Sequence, residues 1–137
     1  MKDLNIKCTY CSRKAKLTRA RDLPSPVIYN EGYLKKNDVY VWYCDKCEAF
    51  VVARRNTFEP LGRLAKKDLR RYRYKLHLRL DRIWKEGKLT RTQVYHRLAN
   101  GMNKPIGKCH IGDFNMKECR KAESIIAEME KYTRNYC

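Results

Sequence analysis

The run Asp38-Val39-Tyr40-Val41-Trp42-Tyr43-Cys44-Asp45-Lys46-Cys47-Glu48-Ala49-Phe50-Val51-Val52-Ala53-Arg54 decides the fold class. Residues 38–43 and 49–54 are rich in β-branched and aromatic side chains, which suit a pleated, half-buried strand surface. Between them Cys44 and Cys47 are separated by two residues, so the simplest geometry is a hairpin whose turn carries two sulfurs. Cys8 and Cys11 repeat that spacing ahead of a third candidate strand at 13–18. Residues 19–37 read as a long connection with Pro24, Pro26 and the turn signal Asn30-Glu31-Gly32.

Two residues between cysteines let one tight turn aim both thiolates at a single ion, and two such turns complete a tetrahedron of sulfur. Thiolate softness selects zinc over magnesium or calcium, while iron also fits a four-sulfur site. One structural zinc on Cys8, Cys11, Cys44 and Cys47 is therefore expected, with four protein ligands leaving no open position for hydrolysis. Lys7, Arg13, Lys14 and Lys46 flank the turns and favour thiolate over thiol. A redox dithiol of the thioredoxin kind needs one pair opening a helix in a βαβ setting, whereas both pairs here sit among strands. Cys109, His110 and Cys119 are also ligand types. A second site there requires another group, such as Cys137 or His96; the alternative is a Cys119 packed as a small hydrophobe and a His110 hydrogen-bonded within its loop. Cys137 reads as a terminal free thiol.

The second half has helical periodicity. Leu61, Leu64, Ala65, Leu69, Tyr72, Leu76, Leu80, Ile83 and Trp84 recur at spacings of three and four, giving a helix from Pro60 to near Gly87. A second helix is expected after Thr90, ending at Asn100-Gly101, then a loop over 103–113, then a third helix capped by Asn115 and running to about residue 134. The expectation is an α+β protein: a zinc-ribbon-like β unit with two CxxC turns over 1–59, packed on a helical domain of about three helices over 60–137, the first of them long and basic.

Charge narrows the function classes. The 137 residues carry 32 Lys and Arg against 15 Asp and Glu, a net charge of +17. The excess concentrates in 61–91, with twelve basic and three acidic side chains. In the final helix the bases alternate with Glu118, Glu123, Glu128 and Glu130, but here the matching acids are mostly missing. Such a face suits a polyanion. Arg63, Lys66, Lys67, Arg70, Arg71 and Arg73, extended by Arg54 and Arg55, are the candidate contacts to nucleic acid, with DNA the expected ligand and Tyr10 a possible base-stacking residue. A catalytic role is not expected: the candidates are His77 with Asp81, one turn apart, and His110, without a nucleophile, a phosphate-binding glycine loop, a paired-carboxylate metal motif or an open metal site. No apolar run approaches the length needed to span a bilayer and Met1–Asn5 is not a secretory signal, so the expected location is the cytoplasm.

The order of these residues resembles a family. Cys8-Thr-Tyr-Cys11, Tyr43-Cys44-x2-Cys47-Glu-Ala49-Phe-Val, Thr57-Phe-Glu-Pro60-Leu61-Gly62-Arg-Leu64-Ala65 and Cys109-His110-Ile111-Gly112-Asp-Phe-Asn-Met-Lys-Glu-Cys119 resemble small zinc-finger-containing proteins of unknown function encoded by bacteriophages and prophages. The likeness covers nearly the whole chain. Thr9 stands where the family usually has Pro, and Arg54 near where it tends to have His. The resemblance implies a zinc-binding phage protein acting inside an infected bacterium, without a set activity. It also leaves open a non-enzymatic effector that binds a host protein such as a polymerase, nuclease or defence factor.

Overall fold

The computed structural model describes residues 4–24, 27, 34 and 38–134; the turn expected at 30–32 and Cys137 lie outside them. The protein is α+β. Among the described residues three strands form an antiparallel sheet in the order β1 (Lys16–Arg19), β2 (Tyr40–Cys44), β3 (Ala49–Val52). Register pairs Leu17 with Trp42 and Trp42 with Val51 on one row, and Thr18 with Val41 and Val41 with Val52 on the next. Successive side chains on a strand point to opposite faces. The sheet therefore carries a core on each face. One gathers Trp42, Cys44, Ala49 and Ala53 with Cys8, Ala15 and Leu64. The other gathers Val41 and Phe50 with Ala20, Leu23, Val27 and Leu34.

Residues 60–65 correct one expectation. They are not the first turns of a helix but an extended segment beside β3. Ala65 exchanges both backbone hydrogen bonds with Phe50 (3.0 and 3.1 Å), and the Leu61 amide donates to the Val52 carbonyl at 2.9 Å. The edge of β3 offers unpaired backbone groups, and satisfying them outweighs the helical spacing of Leu61, Leu64 and Ala65. Leu64 and Ala65 are buried in the β unit, while Leu61 is half exposed.

The helices described are α1 (Lys67–Lys85), α2 (Arg91–Gly101) and α3 (Met116–Arg134). Leu69, Leu76, Leu80 and Ile83 are the buried side of α1. Gly87 closes it at φ +86, a left-handed backbone that a Cβ would disfavour. Both later helices start on reciprocal caps. The Thr90 hydroxyl accepts from the Gln93 amide and the Gln93 side chain from the Thr90 amide (3.1 and 2.8 Å); Asn115 and Glu118 repeat the arrangement (2.8 and 3.1 Å). Cys119, Ala122, Ile126 and Met129 form the buried face of α3, as its sequence spacing predicts.

The chain divides into two compact units, 1–71 and 72–137. The first runs past residue 59 because 60–65 pair with β3 and because Arg70 is tied to the β unit. Its guanidinium donates to the carbonyls of Ala65 (2.6 Å) and Val27 and lies 3.8 Å above the Phe50 ring.

Candidate metal centre

Each cysteine pair sits where a short hairpin reverses. In the first, the Ala15 amide donates to the Ile6 carbonyl and the Cys8 amide to the Arg13 carbonyl (both 2.8 Å), bringing Cys8 and Cys11 to the tip. In the second, Cys44 ends β2 and Cys47 stands in the turn to β3. Residues Ser12 (φ 63) and Glu48 (φ 55), each directly after the second cysteine of its pair, are left-handed. That conformation turns the chain back toward its strand and is strained for residues with a Cβ. Glycine relieves the strain at the cost of a more flexible unfolded chain, so Glu48→Gly is expected to stabilise the zinc-loaded protein by about 0.5–1 kcal/mol. A raised thermal midpoint is the readout; a lowered one contradicts the strain.

The four Sγ atoms lie within 4.8 Å of one another, with Cys11 and Cys44 at 3.6 Å. A tetrahedron built on zinc–sulfur bonds of about 2.3 Å has sulfur–sulfur edges of about 3.8 Å, so the set has the size of one ion. None of these cysteines is in a disulfide. Backbone amides face the sulfurs: Tyr10 donates to Cys8 Sγ at 3.4 Å, and the Arg13 amide lowers the Cys11 thiol to about 7. Burial acts in the opposite direction on the partners, raising Cys44 and pushing Cys47 up to about 12. Four crowded sulfurs do not all ionise without a cation, and a divalent ion is what makes the tetrathiolate stable. Cys8 and Cys44 are buried, and Cys11 and Cys47 half buried. Among the described residues this is the one group of three or more ligand-type side chains gathered closely enough to hold a metal.

The second cluster does not assemble there. Cys109 and Cys119 are buried, and burial raises both thiols, Cys119 to about 11. His110 is exposed and shares a hydrogen bond with the Gly107 carbonyl at 2.9 Å. His77 pairs with Asp81 Oδ2 at 3.2 Å, but Asp81 Oδ1 also accepts from Trp84 (2.9 Å) and Tyr95 (3.2 Å), so the carboxylate joins α1 to α2.

The basic candidates separate into two groups. Arg54, Arg55, Arg63, Lys66, Lys67 and Arg71 are exposed and all belong to the first unit. Arg70 is the clasp on Phe50, and Arg73 donates to the Phe114 carbonyl at 2.9 Å. Arg79, a further base of that run, is held by Glu130 and Glu123. Tyr10 accepts from the Lys66 amide at 3.1 Å and carries Lys66 Nζ 4.8 Å above its ring, so the first cysteine turn meets the segment that enters α1. The strained residues after each pair went unread in the sequence; the signal available was their position, where the backbone must reverse directly after a ligand.

A family model described as a zinc-finger-containing domain matches residues 4–129. Neither a curated protein nor a solved structure matches. With the four-sulfur geometry, this match makes Cys8, Cys11, Cys44 and Cys47 the ligands of one structural zinc, whose role is to cross-link the two hairpins. No helix among the described residues is long and apolar enough to cross a membrane.

Proposed function

The chain belongs to the zinc-finger-containing domain family, and from that premise we propose that it is a non-enzymatic module that binds nucleic acid, with its zinc-braced β unit as scaffold. The observation that carries the reading is the exposure of Arg54, Arg55, Arg63, Lys66, Lys67 and Arg71 in one compact unit of a chain with net charge +17. Phosphates are the ligand such a surface suits, because each contact releases condensed counterions. The module works, in this reading, in the cytoplasm of a phage-infected bacterium, the setting its sequence resemblance implies.

Six phosphate contacts give a log–log salt slope of about −5 on duplex DNA. Replacing Lys66 and Lys67 together by Ala is expected to reduce that slope by about two and to weaken binding to all sequences alike. Anisotropy titrations of the zinc-loaded protein across salt concentrations make the measurement. Absence of salt-sensitive binding to DNA or RNA at low salt rejects the proposal.

A further inference from the structure

The solvent side of α1 carries an apolar pair that the fold does not use. At 3.6 residues per turn, Leu76, Leu80 and Ile83 define the buried side, and Tyr74 and Leu78 lie opposite, one turn apart. They are 55% and 49% exposed, among the most open large apolar side chains described. The other exposed tyrosines have partners: Tyr10 lies under Lys66, and Tyr132 lies 4.6 Å under the Arg97 guanidinium. Tyr74 makes no hydrogen bond, ion pair or ring contact among the described residues. Lys75, Arg82 and Lys85 are exposed on the same helix, Lys75 beside Tyr74 in the chain, Arg82 one turn beyond Leu78, and Lys85 a further turn on with its ammonium 5.5 Å over the Trp84 ring. Asp81, three residues beyond Leu78 on α1, is engaged by His77, Trp84 and Tyr95.

Exposed apolar area framed by charge marks a docking surface, and the sign of the frame selects the occupant. A second copy of a +17 chain brings like charge to the rim and is disfavoured. Duplex nucleic acid meets the cations with phosphate but keeps its base faces stacked, leaving Tyr74 and Leu78 nothing apolar to cover. A single strand offers both, because unstacked bases lie flat on an aromatic ring while the backbone follows nearby cations. We propose that Tyr74 and Leu78 are a base-stacking platform for single-stranded nucleic acid, with Lys75, Arg82 and Lys85 along its phosphates. The proposal rests on the nucleic-acid reading above and narrows it to single strands, DNA and RNA sharing the chemistry.

The test compares fluorescein-labelled single-stranded DNA and RNA oligomers of about twelve nucleotides, and the matching DNA duplex, on the zinc-loaded full chain. Tyr74→Ala is expected to weaken both single strands roughly tenfold with the salt slope unchanged, since no phosphate contact is removed. The duplex is expected to change little. Tyr74→Phe should retain single-strand affinity, Leu78→Ser should reproduce part of the loss, and Tyr132→Ala should behave as wild type. A loss confined to DNA or to RNA supports the platform and identifies the strand it takes. Equal losses on duplex and single strands, or no loss on either single strand although wild type binds them, overturn the proposal; the second result leaves the pair to an acidic protein partner. If wild type binds none of the probes, the proposed function itself fails, a distinguishable outcome.

Discussion

Removing zinc from the full chain is expected to unfold the 1–71 unit. Its three short strands support two small cores in a unit of about 70 residues, a size at which the apolar surface buried on folding leaves little stability to spare. Two of the four ligands, Cys8 and Cys44, belong to the same apolar cluster as Trp42 and Leu64, so the metal and that core form together. Structural zinc in small domains contributes about 10–16 kcal/mol at neutral pH, as large as the whole stability of an ordinary domain. Trp42 reports the event. It is buried and its indole donates to the Phe58 carbonyl at 2.7 Å. In a Trp84→Phe background Trp42 is the sole tryptophan, and chelation is expected to move its emission to the red with loss of a cooperative melt. Cys44→Ser should do the same without chelator. An unshifted Trp42 in protein shown to be metal-free means that the sheet stands without its cross-link.

What the sequence made legible was local. The hairpin of 38–54 follows from alternation of strand-forming side chains around a tight cysteine turn, and needs no distant residue to be read. Thr90 with Gln93 and Asn115 with Glu118 mark their helix starts because each cap closes within three residues. Bringing Cys8 and Cys11 to Cys44 and Cys47 is a long-range event, yet it was readable because four soft ligands have few other uses in common. Residues 60–65 were not readable. Their spacing satisfies a helix, and only the exposed edge of β3, formed elsewhere in the chain, makes an extended path better.

The basic run failed to sort itself for the same reason. Arg70, Arg73 and Arg79 cannot be told in one dimension from the more exposed Arg63 and Arg71, yet they are half buried and donate to Val27, Phe114 and Glu130, acceptors far along the chain. A guanidinium carries five donors and an apolar face, so it can clasp backbone carbonyls where a lysine cannot. Counting cations from sequence therefore overstates how many stand on an exposed face, because the acceptors are set by the fold rather than by the neighbouring sequence.

Phe50→Ala is expected to destabilise the first unit by about 3–5 kcal/mol, the range for removing a fully buried aromatic ring. The ring is 1% exposed, in the middle of β3, in the core on the sheet face opposite the zinc ligands. Its loss empties that core and also removes the surface on which the Arg70 guanidinium rests. Arg70 separates the two effects. Arg70→Ala leaves the Ala65 and Val27 carbonyls without this donor and should itself destabilise by about 1.5–3 kcal/mol, as for hydrogen bonds to a charged group. With both changes combined, the double-mutant cycle should return a coupling of about 0.5–2 kcal/mol, the cation–ring contact. Arg70→Lys should recover little, lacking the planar fork. The same variant distinguishes a clasp from a ligand contact: with Arg70→Ala the salt slope for nucleic acid should stay at the wild-type value. A slope reduced by about one, with denaturation midpoints unmoved, reverses the assignment and returns Arg70 to the phosphate-binding set.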